Sequence, residues 1–143
     1  MHVERILSLK GSDVISVGAQ ETIGMVADIL NENRIGAILI RDDDGFVSGV
    51  LSERDIVRGL AVMGAGCLET PVSELMTREV VFCGPEDDIN TIMAIMTDRR
   101  IRHLPVMRDN QLMGIISIGD VVKFRIEEIE TEAAAMRQYI ATG

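Results

Sequence analysis

The chain has no tryptophan, and only one tyrosine and three phenylalanines among its 143 residues. An aromatic-poor core must be filled by Ile, Val, Leu and the nine methionines, and Met is suited to such irregular packing. Positive charge is also scarce. Fourteen Lys and Arg face 23 Asp and Glu, for a formal net charge of -9, and no stretch concentrates the cations. Duplex binding needs clustered cations that displace counterions, so nucleic acid is excluded as the leading partner. Only two cysteines occur, Cys67 and Cys83, in neither a C-x-x-C nor a C-x-x-H pattern. They read as reduced thiols of a cytosolic protein, with a disulfide or zinc site as the alternatives. No segment approaches the roughly 20 apolar residues of a membrane-spanning helix. "MHVERILSLKGSD" at the start lacks the apolar run of a signal peptide, so no membrane is expected and the cytoplasm is the expected location.

What the chain does have is apolar mass and a repeat. Hydrophobic residues make up 47% of it, enough for a real core and too many for a disordered chain. Val14–Ile40 aligns without a gap on Val80–Val106, matching Val14 with Val80, Gly18 with Gly84, Ile23 with Ile89, and Arg34 with Arg100. After a turn one residue longer in the first copy, "GVLSERDIV" at Gly49–Val57 aligns with "GIISIGDVV" at Gly114–Val122. The lead-ins agree as well: "VERIL" at Val3–Leu7 resembles "VSELM" at Val72–Met76.

Each copy reads as β-α-β-β-α. "VISV" and "VVFC" are short β-prone runs, and Ile23, Val26, Ile29 and Leu30 have helical spacing, as do Ile89, Ile92, Met93 and Met96. "IGAILI" and "RHLPVM" form the next strands, "DDDG" and "RDNQ" the turns, and "VSGVL" and "LMGII" the returning strands. "RGLAVMGAGCLETP" reads as the connector. The expected fold is α+β, α/β-like, with two repeats (residues 1–66 and 67–143) packed through their sheets in pseudo-two-fold symmetry and a longer C-terminal helix. One unit alone has too little core to stand by itself.

The doubled S-x-x-D has two readings. Ser opening a helix with an acidic residue three places on is a capping box, which needs no ligand. Against that alone, the reciprocal box prefers the longer Glu or Gln, whereas Asp55 and Asp120 are aspartates. Gly49 and Gly114, three residues before each Ser, allow close approach of a ligand to backbone at a helix end that favours an anion. A carboxylate also has two acceptor oxygens, enough for both hydroxyls of a ribose.

The lead-in, the β-α-β-β-α order and the doubled G-φ-φ-S-x-x-D ending (φ apolar) resemble the CBS domain, named from cystathionine beta-synthase, over about Val3 to Lys123. The resemblance implies a tandem pair with clefts drawing on both repeats, in which the Asp holds a ribose diol and the Ser positions the phosphate or ribose. One site would comprise Ser117, Asp120, Arg102, His103 and Pro105 with Asp13, Val14 and Ile15. The other would comprise Ser52, Arg54, Asp55, Gly36 and Ala37 with Thr77, Arg78 and Val81. Arg54 is either a phosphate partner or a solvated helix arginine. The ligand implied is AMP, ADP, ATP or NAD; an S-adenosylmethionine-type ligand, or a ligand-free adaptor in which the aspartates only cap helices, is the alternative.

No nucleophile–base pair or phosphate-cradling loop stands out, so no catalysis and no catalytic cofactor are expected. No Cys or carboxylate falls at metal-ligand spacing near His103 in the sequence, and His2 lies at a disordered-looking start. Asp42–Asp44 lacks the alternating ligands of a calcium loop and reads as a hairpin turn. Beyond Asp120, the residues Val122, Ile126, Ile129, Ala133, Met136 and Ile140 step as a heptad seam. That seam is either a helix folded back on its own domain or a dimer contact; a homodimer is expected, beside an unidentified regulated protein.

Overall fold

A computed structural model describes residues 2–142. The chain forms two compact units that interleave in sequence: residues up to Asp13 join those from Val81 onward, and Val14–Val80 form the other unit. The spatial units therefore cut the chain differently from the 1–66 and 67–143 division. Each repeat's body carries the lead-in of the other copy.

In the Val14–Val80 unit, β1 (Ser16–Gly18) runs parallel to β2 (Ala37–Arg41), which pairs antiparallel with β3 (Val47–Ser52). Helix α2 (Ile23–Asn33) crosses between the parallel strands, because such strands cannot be joined by a tight turn. Its first turn is capped by Thr22, whose hydroxyl accepts from Met25 N at 3.2 Å. Helix α3 (Glu53–Met63) follows β3 directly. The connector expected from Arg58 to Pro71 is thus half helix; the irregular stretch is a 3-10 turn over Gly64–Glu69, begun where Gly64 takes a φ of 68°. The core includes Ile23, Val26, Ile38, Ile40, Leu51 and Cys67. The Asp42–Phe46 turn is held by Asp42, whose Oδ1 accepts from Asp44 N and Phe46 N, each at 3.0 Å. Its carboxylate serves its own loop.

In the other unit, α1 (Val3–Lys10) packs with the hairpin of β4 (His103–Arg108) and β5 (Gln111–Ser117), and with α4 (Ile89–Arg99) and α5 (Ile118–Thr142). The hairpin turns on Asp109 and Asn110, both at positive φ, as a two-residue loop requires. Core residues include Val3, Ile6, Ile92, Met96, Leu104, Val106, Ile116 and Phe124.

Two sequence expectations fail here. "VVFC" is not a strand: only Cys83 bridges, parallel to Val106, with Cys83 N donating to Pro105 O at 3.0 Å and Met107 N to Cys83 O at 2.8 Å. Pro85 has no N–H to extend the ladder, and the chain turns at once, with Gly84 N donating to Asp87 Oδ2 at 2.7 Å. His2 is ordered, forming an antiparallel bridge with Asp88 just ahead of α1. The matched Arg34 and Arg100 also acquire a reason. Both close a helix in the left-handed region, at φ 55° and 54°, and turn the chain into the next strand.

Candidate functional site

The site grows from the way each last strand enters its helix. Ser52 stands at the N-cap of α3 with extended backbone (φ -110°, ψ 166°), which turns its own N–H toward the first helical turn. Asp55 Oδ2 accepts from Ser52 N at 2.9 Å and from Ser52 Oγ at 3.1 Å, while Ser52 Oγ accepts from Asp55 N at 3.4 Å. The copy in the other unit is the same: Asp120 Oδ2 accepts from Ser117 N at 2.9 Å, and Ser117 Oγ from Asp120 N at 3.2 Å. Aspartate therefore does close the reciprocal box, contrary to the expectation that it is too short. The extended cap residue brings its N–H within the shorter reach.

The strands also occupy the helix ends. Gly36 O accepts from Glu53 N at 3.0 Å, and Arg102 O from Ile118 N at 2.8 Å. With the second helical N–H groups left over, these N-termini offer an anion much less than the four free donors of a bare helix end.

The two aspartates differ in how they are held. Asp55 has a side chain 7% exposed, and its second oxygen, Oδ1, pairs with Arg58 one turn along α3. Asp120 has a side chain 23% exposed, and its partner is Lys10, at the end of α1. Lys10 Nζ donates to Asp120 Oδ2 at 2.5 Å and to Ile115 O at 2.8 Å. Among the described residues nothing donates to Asp120 Oδ1. Burial pushes the Asp120 carboxyl up. Hydrogen bonds from Lys10 and Ser117 N and the Lys10 charge outweigh that effect and leave it below its ordinary value.

Of the residues expected beside Asp120, His103 is paired with Ser117 and Pro105 with Ile115 across the hairpin, and Arg102 precedes them with its side chain exposed. Asp13 belongs to the same unit and is exposed; Val14 and Ile15 belong to the other. Ala37 is paired with Ser52, and Gly36 sits at the start of α3 through its carbonyl. Thr77 bridges Val50, with N–H···O distances of 3.0 and 2.9 Å. Arg78 donates to Ser73 O at 2.7 Å within its own lead-in, and Arg54 stays exposed on α3. Val81 packs on the core of the unit that holds Asp120.

Sequence reasoning missed Lys10 and Arg58. The spacing of Asp55 and Arg58 on one helix was readable as a pair. Lys10 was not, because it meets Asp120 across 110 residues of chain. Among the described residues, shallow grooves of about 530 and 480 Å³ lie on helix faces. The first is lined by Ile118, Gly119, Val122, Lys123, Ile126 and Glu127, and neither includes the motif aspartates. Among the described residues no cluster of His, Cys, Asp and Glu could hold a metal, and no helix is long and apolar enough to cross a membrane. Cys67 and Cys83 are free and buried, and burial followed by the nearby Asp87 charge pushes the Cys83 thiol up to about 12.

A mixed α+β fold that repeats an α-β-β-α motif, led in by a strand in one copy and by the single Cys83 bridge in the other, and sets a Ser–Asp pair at each last helix defines the class. The CBS domain family model matches residues 6–62 and 72–127, and the chain belongs to that family. CBS domain-containing protein YhcV of Bacillus subtilis is 30% identical over 123 residues, covering 86% of this chain and 84% of that protein. The mitochondrial CBS domain-containing protein CBSX3 of Arabidopsis thaliana is 32% identical over 127 residues, 86% of this chain. The chain spans 62% of that protein's length, less than two thirds. Among solved structures, the CBS-domain containing protein ATU1752 from Agrobacterium tumefaciens superposes with a TM-score of 0.85 at 45% identity, covering 87% of this chain and 92% of that one.

Proposed function

We propose that this CBS pair is a regulatory module that binds an adenosine-containing small molecule, AMP, ADP, ATP or NAD, and performs no chemistry of its own. One observation carries the reading: among the described residues no donor claims Asp120 Oδ1, which lies at a helix entrance, partly open to solvent, beside the Ser117 hydroxyl. A ribose diol needs such an acceptor. The CBS domain pair of protein MJ0100, 23% identical with a TM-score of 0.79, is known in complex with 5′-methylthioadenosine and S-adenosyl-L-methionine. Both of those ligands contain adenosine, and an S-adenosylmethionine-type ligand belongs among the candidates here.

The module is a homodimer in this proposal, joined through α5. Past the buried Phe124 its apolar seam is uncovered, with Ile126 50%, Met136 60% and Ile140 69% exposed. Ligand binding would favour one arrangement of the module over another and pass that bias to a regulated protein.

The reciprocal boxes favour a second reading, a ligand-free adaptor whose aspartates only cap helices. A thermal-shift panel of AMP, ADP, ATP, NAD and S-adenosylmethionine on the full chain separates the two. A ligand at a hundred times its Kd stabilises by about 2.7 kcal/mol. The sensor reading expects at least one such shift; no shift from any member of the panel leaves the adaptor.

A further inference from the structure

We infer that Lys10 is a ligand-selecting residue of the Asp120 site, favouring adenosine derivatives with an anionic group on the 5′ side of the sugar. The inference rests on reading Asp120 as the sugar-binding carboxylate. An ammonium has three donors and no acceptor. Two are fixed, on Asp120 Oδ2 and Ile115 O. The Lys10 side chain is 30% exposed, and among the described residues no third acceptor takes its remaining N–H. The two fixed bonds hold this end of a flexible side chain in place before any ligand arrives, which lowers the ordering cost of binding. A sugar taken by Asp120 Oδ1 leaves Lys10 on Oδ2, with its third donor at the rim of the sugar. There a phosphate or carboxylate gains a charge-assisted hydrogen bond that an uncharged 5′-hydroxyl cannot match.

Among the described residues the Asp55 site has no such device. With Val3–Leu7 aligned on Val72–Met76, the lead-in position of Lys10 is taken by Glu79. The cation on Asp55 instead comes from its own helix, as Arg58, and completes the occupation of both carboxylate oxygens. A cation from a lead-in beside an open aspartate is thus a property of the Asp120 site.

The test is the ratio of AMP to adenosine affinity, measured by calorimetric titration of the full chain. Wild type should prefer AMP. Lys10→Met should lower the AMP/adenosine ratio about tenfold or more, and Lys10→Arg should restore most of it. Far-ultraviolet circular dichroism establishes that each variant is folded. Wild type binding both ligands with a ratio that Lys10→Met leaves unchanged overturns the inference while the adenosine reading survives. Lys10→Arg behaving like Lys10→Met overturns it as well, since the charge would not be what counts. Binding of neither ligand to wild type removes the adenosine reading itself, and this inference with it.

Discussion

Leu7 lies over Gly114 so closely that a Cβ on the glycine would stand 2.8 Å from Leu7 Cδ2. Met76 lies over Gly49 in the same way, where a Cβ would meet its Sδ at 2.5 Å and Thr77 O at 3.1 Å. Leu7 and Met76 are the matched ends of the two lead-ins, so each lead-in docks on the other copy's glycine-bearing strand. The glycines that seemed to make room for a ligand make room for the lead-ins. Gly49→Ala should cost about 1–3 kcal/mol, as overpacking against partly backbone neighbours does. Gly114→Ala should cost less, because only the end of a leucine side chain must give way. Urea denaturation of both variants checks the order; equal and negligible costs would contradict it.

Asp55 is held on both oxygens and nearly buried. Asp55→Ala should therefore lower stability in the absence of ligand by about 1–2 kcal/mol, and Ser52→Ala by about 1 kcal/mol. The two act through one box, so the double variant should lose less than the sum. Additive losses would show that the box is not a unit.

Asp120 gives a pH signature. Its folded carboxyl lies below its ordinary value, so the stability it contributes is present above the unfolded pKa, near 3.9, and is lost as pH falls through the folded value. Lys10→Met removes the main lowering partner. The stability gap between wild type and Lys10→Met should be open at pH 7 and should shrink below about pH 4. Thermal melts across that range measure it, and a gap that does not change with pH would contradict the assignment.

The repeat, the helices and the hairpin turns were legible because periodicity and turn residues are local signals. Ile23 and Ile89 open matched helices, and Asp109–Asn110 turns as its composition suggests. What stayed hidden was long-range. Nothing local says that Lys10 meets Asp120, or that the lead-in of one copy belongs spatially to the other. "VVFC" misled because its β-propensity is sound but Pro85 stops the ladder. Ser52 and Ser117 are legible as helix starts, yet the capping geometry of the Ser–Asp pairs depends on backbone angles that spacing alone does not supply.

The uncovered seam of α5 predicts self-association. Ile129→Glu together with Met136→Glu should halve the mass measured by sedimentation, leaving the folded units intact by circular dichroism. A wild-type chain that sediments as a monomer would contradict the pairing.

A crystal structure of the full chain saturated with AMP tests the sugar-binding role of Asp120 most directly. The ribose 2′ and 3′ hydroxyls should lie within hydrogen-bond distance of its carboxylate, with Lys10 still on Oδ2. AMP bound elsewhere, with Asp120 touching only Ser117 and Lys10, would contradict it.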